Sequence, residues 1–206
     1  MTTLYPATTN IGKFAEFKTA AHAEDVEIDK LPGIDEMPEP IEDASTFMGN
    51  AEIKARAYSR LAPGLLVLAD DSGLEVDALG GDPGVHSARF ADRLGFEPNA
   101  GYKDIRNNLC VLSLLAALPN PSRSARFVCT LVIARDGEIL LRSNGTVEGQ
   151  LLDKPRGASG FGYDPLFLIP SLGLTLAEIS KEQKGQLSHR GNAFRSLLAQ
   201  LHNAHF

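Results

Sequence analysis

Residues 65–91, LLVLADDSGLEVDALGGDPGVHSARFA, are the stretch on which the fold class of this chain depends. The stretch opens with an apolar run, residues 65–69, whose length is typical of a strand buried on both faces and too short for a helix. Asp70 and Asp71 follow directly. Because ligands of open α/β sheets bind beyond the carboxyl ends of the strands, the pattern predicts an α/β fold with these acids at a functional site.

The two adjacent acids also constrain the chemistry of that site. Neighbouring carboxylates repel each other and lose hydration when they are buried, so the pair requires a cation, a proton or several hydrogen-bond donors. A divalent metal ion is the expected partner. Alternatively, Asp70 or Asp71 only caps the following turn, since Asp, Ser and Gly are all common turn residues. Residues 73–79 then alternate apolar and polar side chains, which predicts a second, half-buried strand.

Length and composition narrow the class of protein. With 206 residues the chain can bury an ordinary core, either as one domain or as two lobes that share a sheet, and we expect a single domain over residues 1–206. A net charge of -6 argues against broad binding to nucleic acid or to anionic membranes. No targeting pattern or run of ~20 apolar residues is present, so we expect a cytoplasmic protein. Cys110 and Cys129 have apolar neighbours and are predicted to be reduced and buried.

The first candidate binding loop joins a predicted strand, residues 2–8, to a helix that begins at Lys13. The loop consists of Thr8, Thr9, Asn10, Ile11, Gly12 and Lys13. Backbone N–H groups and the helix dipole favour an anion at a helix N-terminus, although the Walker A pattern is absent. A capped helix start with a surface lysine explains the same residues equally well.

Two charged residues in the next segments are further candidates. Glu42 belongs to a loop rich in proline and acids, residues 32–43, from which a carboxylate can reach a metal held by a neighbouring strand end. Lys54 lies at the edge of the apolar stripe of a predicted helix, residues 46–61, so its ammonium group requires an anionic partner such as a ligand. The alternatives are a solvated loop for Glu42, and for Lys54 a stem along the apolar face with the ammonium group in water.

Two segments in the middle of the chain are predicted to be structural. Residues 99–118 carry leucines at helical spacing, which indicates core packing without chemistry. Asp136 and Gly137 predict a hairpin between strands 124–135 and 138–149. That hairpin either protrudes as a ribbon or extends the sheet.

The last candidates lie in the C-terminal third of the chain. Residues 154–165 are rich in glycine, which lets backbone approach a ligand closely, and Phe161 and Tyr163 offer flat faces to a base. A turn whose aromatic side chains enter the core is an equally good local interpretation. Lys184, His189 and Arg190 supply donors before a predicted helix, residues 191–201, although exposed polar residues would give the same pattern.

These signals complement one another, because acids suit a metal, lysines suit phosphates and aromatic rings suit a base. Together they describe a nucleoside triphosphate site. The chain resembles the Ham1/RdgB family of non-canonical purine nucleoside triphosphate pyrophosphatases, also called inosine triphosphatases. The motifs that carry the resemblance are Thr8-x-Asn10-x-x-Lys13, Phe47-x-x-Asn50-Ala51-x-x-Lys54-Ala55, Ala69-Asp70-Asp71-Ser72-Gly73-Leu74, Pro83-Gly84-x-x-Ser87-Ala88-Arg89, Gly160-Phe161-Gly162-Tyr163-Asp164-Pro165 and Ser188-His189-Arg190-Gly191.

The resemblance implies an elongated α/β fold with a long mixed sheet, two lobes around a nucleotide cleft, and a homodimer. It implies hydrolysis of ITP, dITP and XTP to the monophosphate and pyrophosphate with Mg2+. In this sequence Asp71 would be the catalytic acid, and Asp71 and Glu42 would bind the metal. The implied substrate contacts are the loop from Thr8 to Lys13, with Lys54, Ser72, Phe161, Gly162, Tyr163, Asp164, Lys184, His189 and Arg190.

Two positions depart from the family pattern. Members usually have Gly where Thr9 stands, so the backbone of the phosphate loop is expected to differ here. Many members have Glu where Gly49 stands. Gly within a helix and a missing capping partner each cost roughly 1 kcal/mol, so the absence of Glu at position 49 is expected to lower stability. If that Glu organises metal or water in the family, activity is expected to be lower as well.

Two other functions remain compatible with the sequence. The departures at Thr9 and Gly49 would suit a non-catalytic nucleotide-binding protein on the same scaffold. A Maf-like pyrophosphatase for modified pyrimidine triphosphates would also combine a phosphate loop with an acid at a strand end. Measured pyrophosphate release from different nucleotides distinguishes these functions.

Overall fold

The computed structural model describes residues 2–21, 26–97 and 101–203, which form two compact units. The first unit is drawn from Met1–Asp71, Cys129–Thr146 and Lys181–Phe206, and the second from Ser72–Val128 and Val147–Ser180. Each unit is built around hydrophobic clusters of its own. Within the described ranges, no helix is both long enough and apolar enough to span a bilayer.

The described strands form a seven-stranded mixed sheet with the order β2-β1-β3-β4-β5-β6-β7. They are β1 (Thr2–Pro6), β2 (Val26–Ile28), β3 (Val67–Val76), β4 (Ser124–Arg135), β5 (Glu138–Leu151), β6 (Phe167–Ile169) and β7 (Leu174–Thr175). β1 pairs in parallel with β2 and β3, whereas β6 pairs antiparallel with β5 and β7. The predicted α/β class with a mixed sheet is therefore confirmed.

The described helices are α1 (Ile11–Ala21), α2 (Phe47–Leu61), α3 (Phe90–Arg93), α4 (Lys103–Ala116), α5 (Lys181–Leu187) and α6 (His189–Asn203). Short 3-10 helices cover Asp77–Leu79 and Gly84–Arg89. The prediction of a helix over residues 99–118 is confirmed for α4, while Asn99 lies outside the described residues.

Both faces of the sheet are covered in the first unit. One face carries a cluster in which Leu68 of β3 meets Phe17 of α1 and Phe194 of α6. On the other face, Val67 and Ala69 pack with α2. Successive strand residues point to opposite faces, so this division accounts for the unbroken apolar run that the sequence shows before the acids.

The hairpin predicted at Asp136 and Gly137 is confirmed. These residues form the two-residue turn between β4 and β5, with φ of 54° and 85°, the positive values that a tight hairpin turn of this length requires. Since β4 and β5 lie in the middle of the strand order, the hairpin extends the sheet rather than protruding from it.

The boundaries of β3 correct the sequence prediction. Residues 65–69 and 73–79 were expected as two separate strands, with the acids between them. Instead β3 runs without a break from Val67 to Val76 and includes Asp70 and Asp71. The interpretation of either acid as a turn cap is therefore wrong, because both residues belong to the extended strand.

Candidate active site

Asp70 and Asp71 lie in β3 just beyond the end of its parallel partner. The β1 register ends at Pro6 opposite Leu68, so the acids follow the last paired residues. Because side chains alternate along a strand, Asp70 shares the face of Leu68, and Asp71 shares the face of Val67 and Ala69. The acids therefore point to different helices, with two cationic partners for Asp70 and one, Lys54, for Asp71. These cations supply the positive charge that the sequence analysis required for the pair of acids.

Asp70 is a buried carboxylate with two cationic partners. Its Oδ2 atom lies 3.0 Å from Nζ of Lys13 in α1 and 3.2 Å from a terminal nitrogen of Arg190 in α6. Burial alone would raise the pKa of Asp70, but Lys13, Arg190 and Lys54 hold it well below its ordinary value. Asp70 is therefore ionised in the folded protein.

Asp71 lies on the opposite face and has weaker compensation. Asn50 of α2 donates to its Oδ2 atom at 3.1 Å, while Nζ of Lys54 is 3.8 Å from its Oδ1 atom. Burial raises the pKa of Asp71 to about 6, although Lys54 and Asn50 act in the opposite direction. A carboxyl group with this pKa ionises near neutral pH and can accept a proton there, as a general base must.

Lys54 connects Asp71 with Glu42. Its Nζ atom lies 2.8 Å from a Glu42 oxygen, and burial is offset by Asp70, Asp71 and Glu42, which raise the pKa of Lys54 above its ordinary value. The alternative that keeps the Lys54 ammonium group in water is wrong, because this group pairs with Glu42 and Asp71, whereas contact with an anionic ligand stays a prediction. Its partners are carboxylates of the protein, and Glu42 is not simply part of a solvated loop.

Glu16 is a site residue that the sequence analysis missed. Lys184 of α5 lies 2.6 Å from its Oε1 atom, and Arg190 donates to its Oε2 atom. Burial would raise the pKa of Glu16, but Arg190 and Lys184 lower it below the ordinary value. Glu16 is three residues beyond Lys13 and thus on the same face of α1. That spacing was the available signal, but its partners are remote in sequence.

His189 and Arg190 form the first residues of α6 and are both buried. The interpretation of these residues as exposed polar side chains is therefore wrong. Burial lowers the pKa of His189 well below its ordinary value, and Arg190 and Lys184 act in the same direction. The imidazole is therefore neutral, with one donor and one acceptor nitrogen. Its backbone lies close to β5, since a Cβ atom on Gly145 would come within 2.3 Å of the His189 carbonyl oxygen.

The loop before α1 has a capped helix start. The helix begins at Ile11, two residues before the predicted position, and Oδ1 of Asn10 accepts from the backbone N–H of Lys13 at 3.0 Å. Oγ1 of Thr8 accepts from the N–H of Asn10 at 3.2 Å. Thr9 is exposed, and Ile11 and Gly12 belong to the first turn of the helix. The alternative of a surface lysine is wrong, because Lys13 pairs with buried Asp70.

The remaining predicted residues belong to the second unit. Ser72 is half-buried in β3. The loop from Phe161 to Asp164 is stabilised by hydrogen bonds, since Asp164 accepts from the N–H of Phe161 at 2.9 Å, and Asp104 of α4 accepts from the N–H of Gly162 at 2.7 Å. The prediction that residues 99–118 only pack in the core is therefore wrong in part, because Asp104 holds this loop and Leu109 and Leu118 are exposed.

Tyr163 differs from its predicted role. Its side chain is buried in the hydrophobic cluster of the second unit, and its hydroxyl donates to the carbonyl oxygen of Ser87 at 2.9 Å. The expectation that the Tyr163 ring offers a flat face to a base is therefore wrong, because that surface is used in the core. Phe161 is only partly buried.

Glu42 and Asp71 are the residues that could hold a metal ion. Their oxygen atoms suit a hard divalent cation, and burial of Asp71 without full compensation favours added positive charge. Among the residues that the structure describes, no group of three or more His, Cys, Asp and Glu side chains forms a closed metal site. The donor set fits an ion that uses one or two carboxylates and takes its other ligands from phosphates and water.

Comparison with known proteins adds an independent line of evidence. The profile described as the Ham1 family matches residues 4–200. The chain belongs to the Ham1 family. All the predicted site residues from Thr8 to Arg190 lie within the matched range. The identification confirms the resemblance seen in the sequence motifs.

Relatives of this Ham1 family member cover nearly its whole length. A protein of Acidobacterium capsulatum named dITP/XTP pyrophosphatase is 50% identical over 97% of this chain and 98% of its own. One with the same name from Exiguobacterium sibiricum is 46% identical over 95% and 94%. Among solved structures, a HAM1 protein from Coxiella burnetii has a TM-score of 0.83 at 35% identity, covering 99% of this chain and 100% of its own. The Staphylococcus aureus Ham1 protein has a TM-score of 0.78 at 39% identity over 98% of both chains.

Proposed function

We propose that this protein hydrolyses ITP, dITP and XTP to the nucleoside monophosphate and pyrophosphate. The observation that carries the proposal is Asp71, a buried carboxyl group with a raised pKa that Asn50 holds beside Lys54. The names of the full-length relatives support the same substrates. We infer a role in removing such nucleotides from the nucleotide pool.

Asp71 is proposed as the general base. It accepts a proton from a water molecule, whose oxygen attacks the α-phosphorus of the bound triphosphate. The bond from the α-phosphorus to the oxygen that bridges to the β-phosphate breaks, and pyrophosphate leaves. Lys13 and Lys54 neutralise the charge that develops on this leaving group. Thr8, Thr9, Asn10, Ile11 and Gly12 are proposed to hold the phosphates at the start of α1.

Mg2+ is the proposed cofactor, and Asp71 and Glu42 would hold it. When bound, the ion would polarise phosphoryl oxygens and neutralise charge on the triphosphate. Lys54 lies between the two carboxylates and would keep their charge balanced.

Substrate selection is proposed to depend on a hydrogen-bond donor for the 6-keto group of the base. Arg190 directs its terminal nitrogens at Glu16 and Asp70, so neutral His189 or nearby backbone is the better donor. Adenine has an amino group at this position and would leave the donor unmatched, at a cost of ~1–3 kcal/mol. The other proposed substrate contacts are Lys184, Ser72, Phe161, Gly162, Tyr163 and Asp164, of which Tyr163 would act through the backbone of its loop.

A homodimer in the cytoplasm is proposed from the family resemblance.

Pyrophosphate release tests this function. The purified protein is assayed with ITP, XTP, dITP, GTP, ATP and dUTP, with and without Mg2+. We expect Mg2+-dependent release of pyrophosphate from ITP, XTP and dITP. Preference for dUTP would indicate a Maf-like pyrophosphatase, binding without release would indicate a non-catalytic protein, and equal rates with ATP and ITP would contradict the proposed selectivity.

A further inference from the structure

Glu16 uses each oxygen of its carboxylate for a different buried cation. Oε1 lies 2.6 Å from Nζ of Lys184, and Oε2 accepts from a terminal nitrogen of Arg190. The Lys184 and Arg190 side chains are 9% and 2% exposed, whereas that of Glu16 is 19% exposed. Hydrogen bonds between ionised groups that are this well buried are shorter and stronger than neutral ones, so Glu16 restricts the orientation of both cations.

Arg190 extends this arrangement to Asp70. One terminal nitrogen of Arg190 donates to Glu16 and the other lies 3.2 Å from Asp70, which is also 3.0 Å from Lys13. The five side chains form a continuous series of ion pairs from α5 through α1 and α6 to β3. Arg190 therefore has its terminal nitrogens engaged by acids of the protein, and Glu16 connects it with Lys184.

Local charge requires Glu16 to remain ionised. Lys13, Lys184 and Arg190 carry three positive charges, and Asp70 supplies one negative charge against them. Without Glu16 these cations would lose one negative charge, and Lys184 would lose an acceptor that lies 2.6 Å from its Nζ atom. A lysine on a flexible stem then has several directions in which to place its ammonium group.

We propose that Glu16 is a positioning residue, which holds Lys184 in the orientation that binds the substrate and links it through Arg190 to Asp70 and Lys13. The inference rests on the proposed function, since it takes Lys184 to contact the nucleotide. Glu16 itself need not touch the substrate or accept a proton. Its loss should weaken nucleotide binding more than the chemical step.

A double-mutant cycle in ligand binding tests this role. Binding of ITP is measured by calorimetry in EDTA, which prevents hydrolysis that depends on a divalent ion, for wild type, Glu16→Gln, Lys184→Met and the double variant. We expect Glu16→Gln to raise the Kd for ITP about tenfold, because the variant loses one charge-assisted hydrogen bond. Lys184→Met should raise the Kd similarly, and the double variant should bind ITP no more weakly than Lys184→Met does.

Steady-state assays with Mg2+ provide a second readout. KM should rise about tenfold in Glu16→Gln, while kcat should stay within about twofold of wild type.

Two further variants make the outcome decisive. Glu16→Asp keeps the negative charge, but its shorter side chain cannot reach both cations in the same way, so its Kd for ITP should also rise. This variant tests the proposal even if Glu16→Gln does not fold. Glu52→Gln removes the acid of a more exposed ion pair with Arg142 and should leave the Kd unchanged. The proposal would be overturned by a normal Kd in Glu16→Asp. It would also be overturned if the double variant raised the Kd by the product of the two single-variant factors.

The binding data also separate this inference from the proposed function. If wild type binds ITP but releases no pyrophosphate, the proposed function fails and the cycle still decides the role of Glu16. If wild type binds no ITP, both are wrong. If Glu16→Gln lowers only the melting temperature and not nucleotide affinity, Glu16 is structural and the inference fails alone.

Discussion

Asp70 and Asp71 are adjacent in sequence but have opposite pKa shifts. Both lose hydration on burial, but Asp70 has Lys13 and Arg190 within 3.2 Å. Asp71 has an amide donor and a lysine 3.8 Å away, so burial remains the larger effect on it. The acid with the higher proton affinity is thus the one suited to accept a proton, while its neighbour stays ionised and holds two cations.

The titration of Asp71 should depend on Lys54. In the metal-free protein, carboxyl 13C NMR should show Asp71 titrating at about 6. Lys54→Met removes a positive charge and should move this pKa upward, while Asp70 should not titrate in the ordinary carboxyl range. Asp71→Asn assigns the signal, and Glu52→Gln serves as a distant control. An unchanged Asp71 pKa in Lys54→Met would show that the ion pair is not electrostatically important.

Asp71→Asn should abolish turnover while the fold remains intact. Ionising Asp71 costs stability because its folded pKa is raised above 3.8. As pH rises from ~4 through the folded pKa of about 6, ionisation of Asp71 therefore lowers the free energy of unfolding. The variant should therefore melt at the same or a higher temperature than wild type at pH ~8, with an unchanged circular dichroism spectrum. A nearly normal rate would remove Asp71 from the role of base.

At the scale of elements, the site depends on close packing between β5 and α6. A Cβ atom on Gly145 would lie 2.2 Å from the Ala193 nitrogen and 2.3 Å from the His189 carbonyl oxygen. Ser143 of β5 also donates to the Ala193 carbonyl oxygen at 2.9 Å. The absence of a side chain at position 145 thus lets the strand place the first turn of α6, which carries His189 and Arg190.

Gly145→Ala should force β5 and α6 apart. Backbone atoms cannot move aside as flexible side chains do, so we expect a loss of about 2–4 kcal/mol in the free energy of unfolding and weaker ITP binding. Gly185→Ala is the matched control. Its Cβ would meet only Thr19 at 3.7 Å, and alanine favours the helix, so stability should be equal or higher. Urea denaturation of both variants checks this difference; equal stabilities would contradict it.

The packing around position 49 explains why glycine fits there, which the sequence did not indicate. Gly49 lies in the first turn of α2, where its N–H donates to Oγ1 of Thr46 at 3.1 Å. A Cβ atom would lie 2.6 Å from the Cβ of Ala44. The expectation that glycine only reduces stability here is therefore incomplete, because the preceding loop occupies the space that a side chain would need.

Replacing Gly49 by Glu, the residue that the resemblance implies for many family members, should be unfavourable by itself. Gly49→Glu gains helix propensity of about 1 kcal/mol, but overpacking against Ala44 costs about 1–3 kcal/mol. The double variant Ala44→Gly/Gly49→Glu should be more stable than Gly49→Glu, whereas Ala44→Gly alone should not exceed wild type. Thermal melts of the four proteins measure this coupling. Additive effects would show that the two positions do not compete for space.

For the whole molecule, buried ion pairs make stability depend on pH. The pKa values of Asp70 and Glu16 are both lowered by their cations after burial is overcome. For an acid whose folded pKa is depressed, the stabilisation is present above the unfolded pKa and is lost as pH falls through the folded value. The two acids therefore act in the opposite sense to Asp71.

Acid should destabilise this protein below the unfolded carboxyl pKa values of 3.8 and 4.5. We expect the melting temperature to fall steadily below pH ~4 at constant ionic strength, as protons are taken up on unfolding. Glu16→Gln should show a shallower decline, since one of the linked acids is removed. A melting temperature that stays constant down to pH ~3 would contradict the proposed contribution of these ion pairs.

Local patterns were sufficient to predict several parts of this molecule. The apolar run before Asp70, the helical spacing around Lys54 and the Asp136-Gly137 turn each depend on neighbours a few residues away. The motifs from Thr8 to Gly191 also led to the family, because their residue types and order are specific. These features follow from backbone geometry and side-chain periodicity, which act over short distances along the chain.

Contacts between remote segments decided the rest. β3 continues through Asp70 and Asp71 as one strand of the seven-stranded sheet, and the two carboxylates therefore face opposite sides of that sheet. Glu16 meets Lys184 and Arg190 across 168 and 174 residues, a pairing that no spacing within α1 reveals. Tyr163 enters a core assembled from distant helices and strands. The free energy of these arrangements comes from burial and charge pairing, which exist only after the chain has folded.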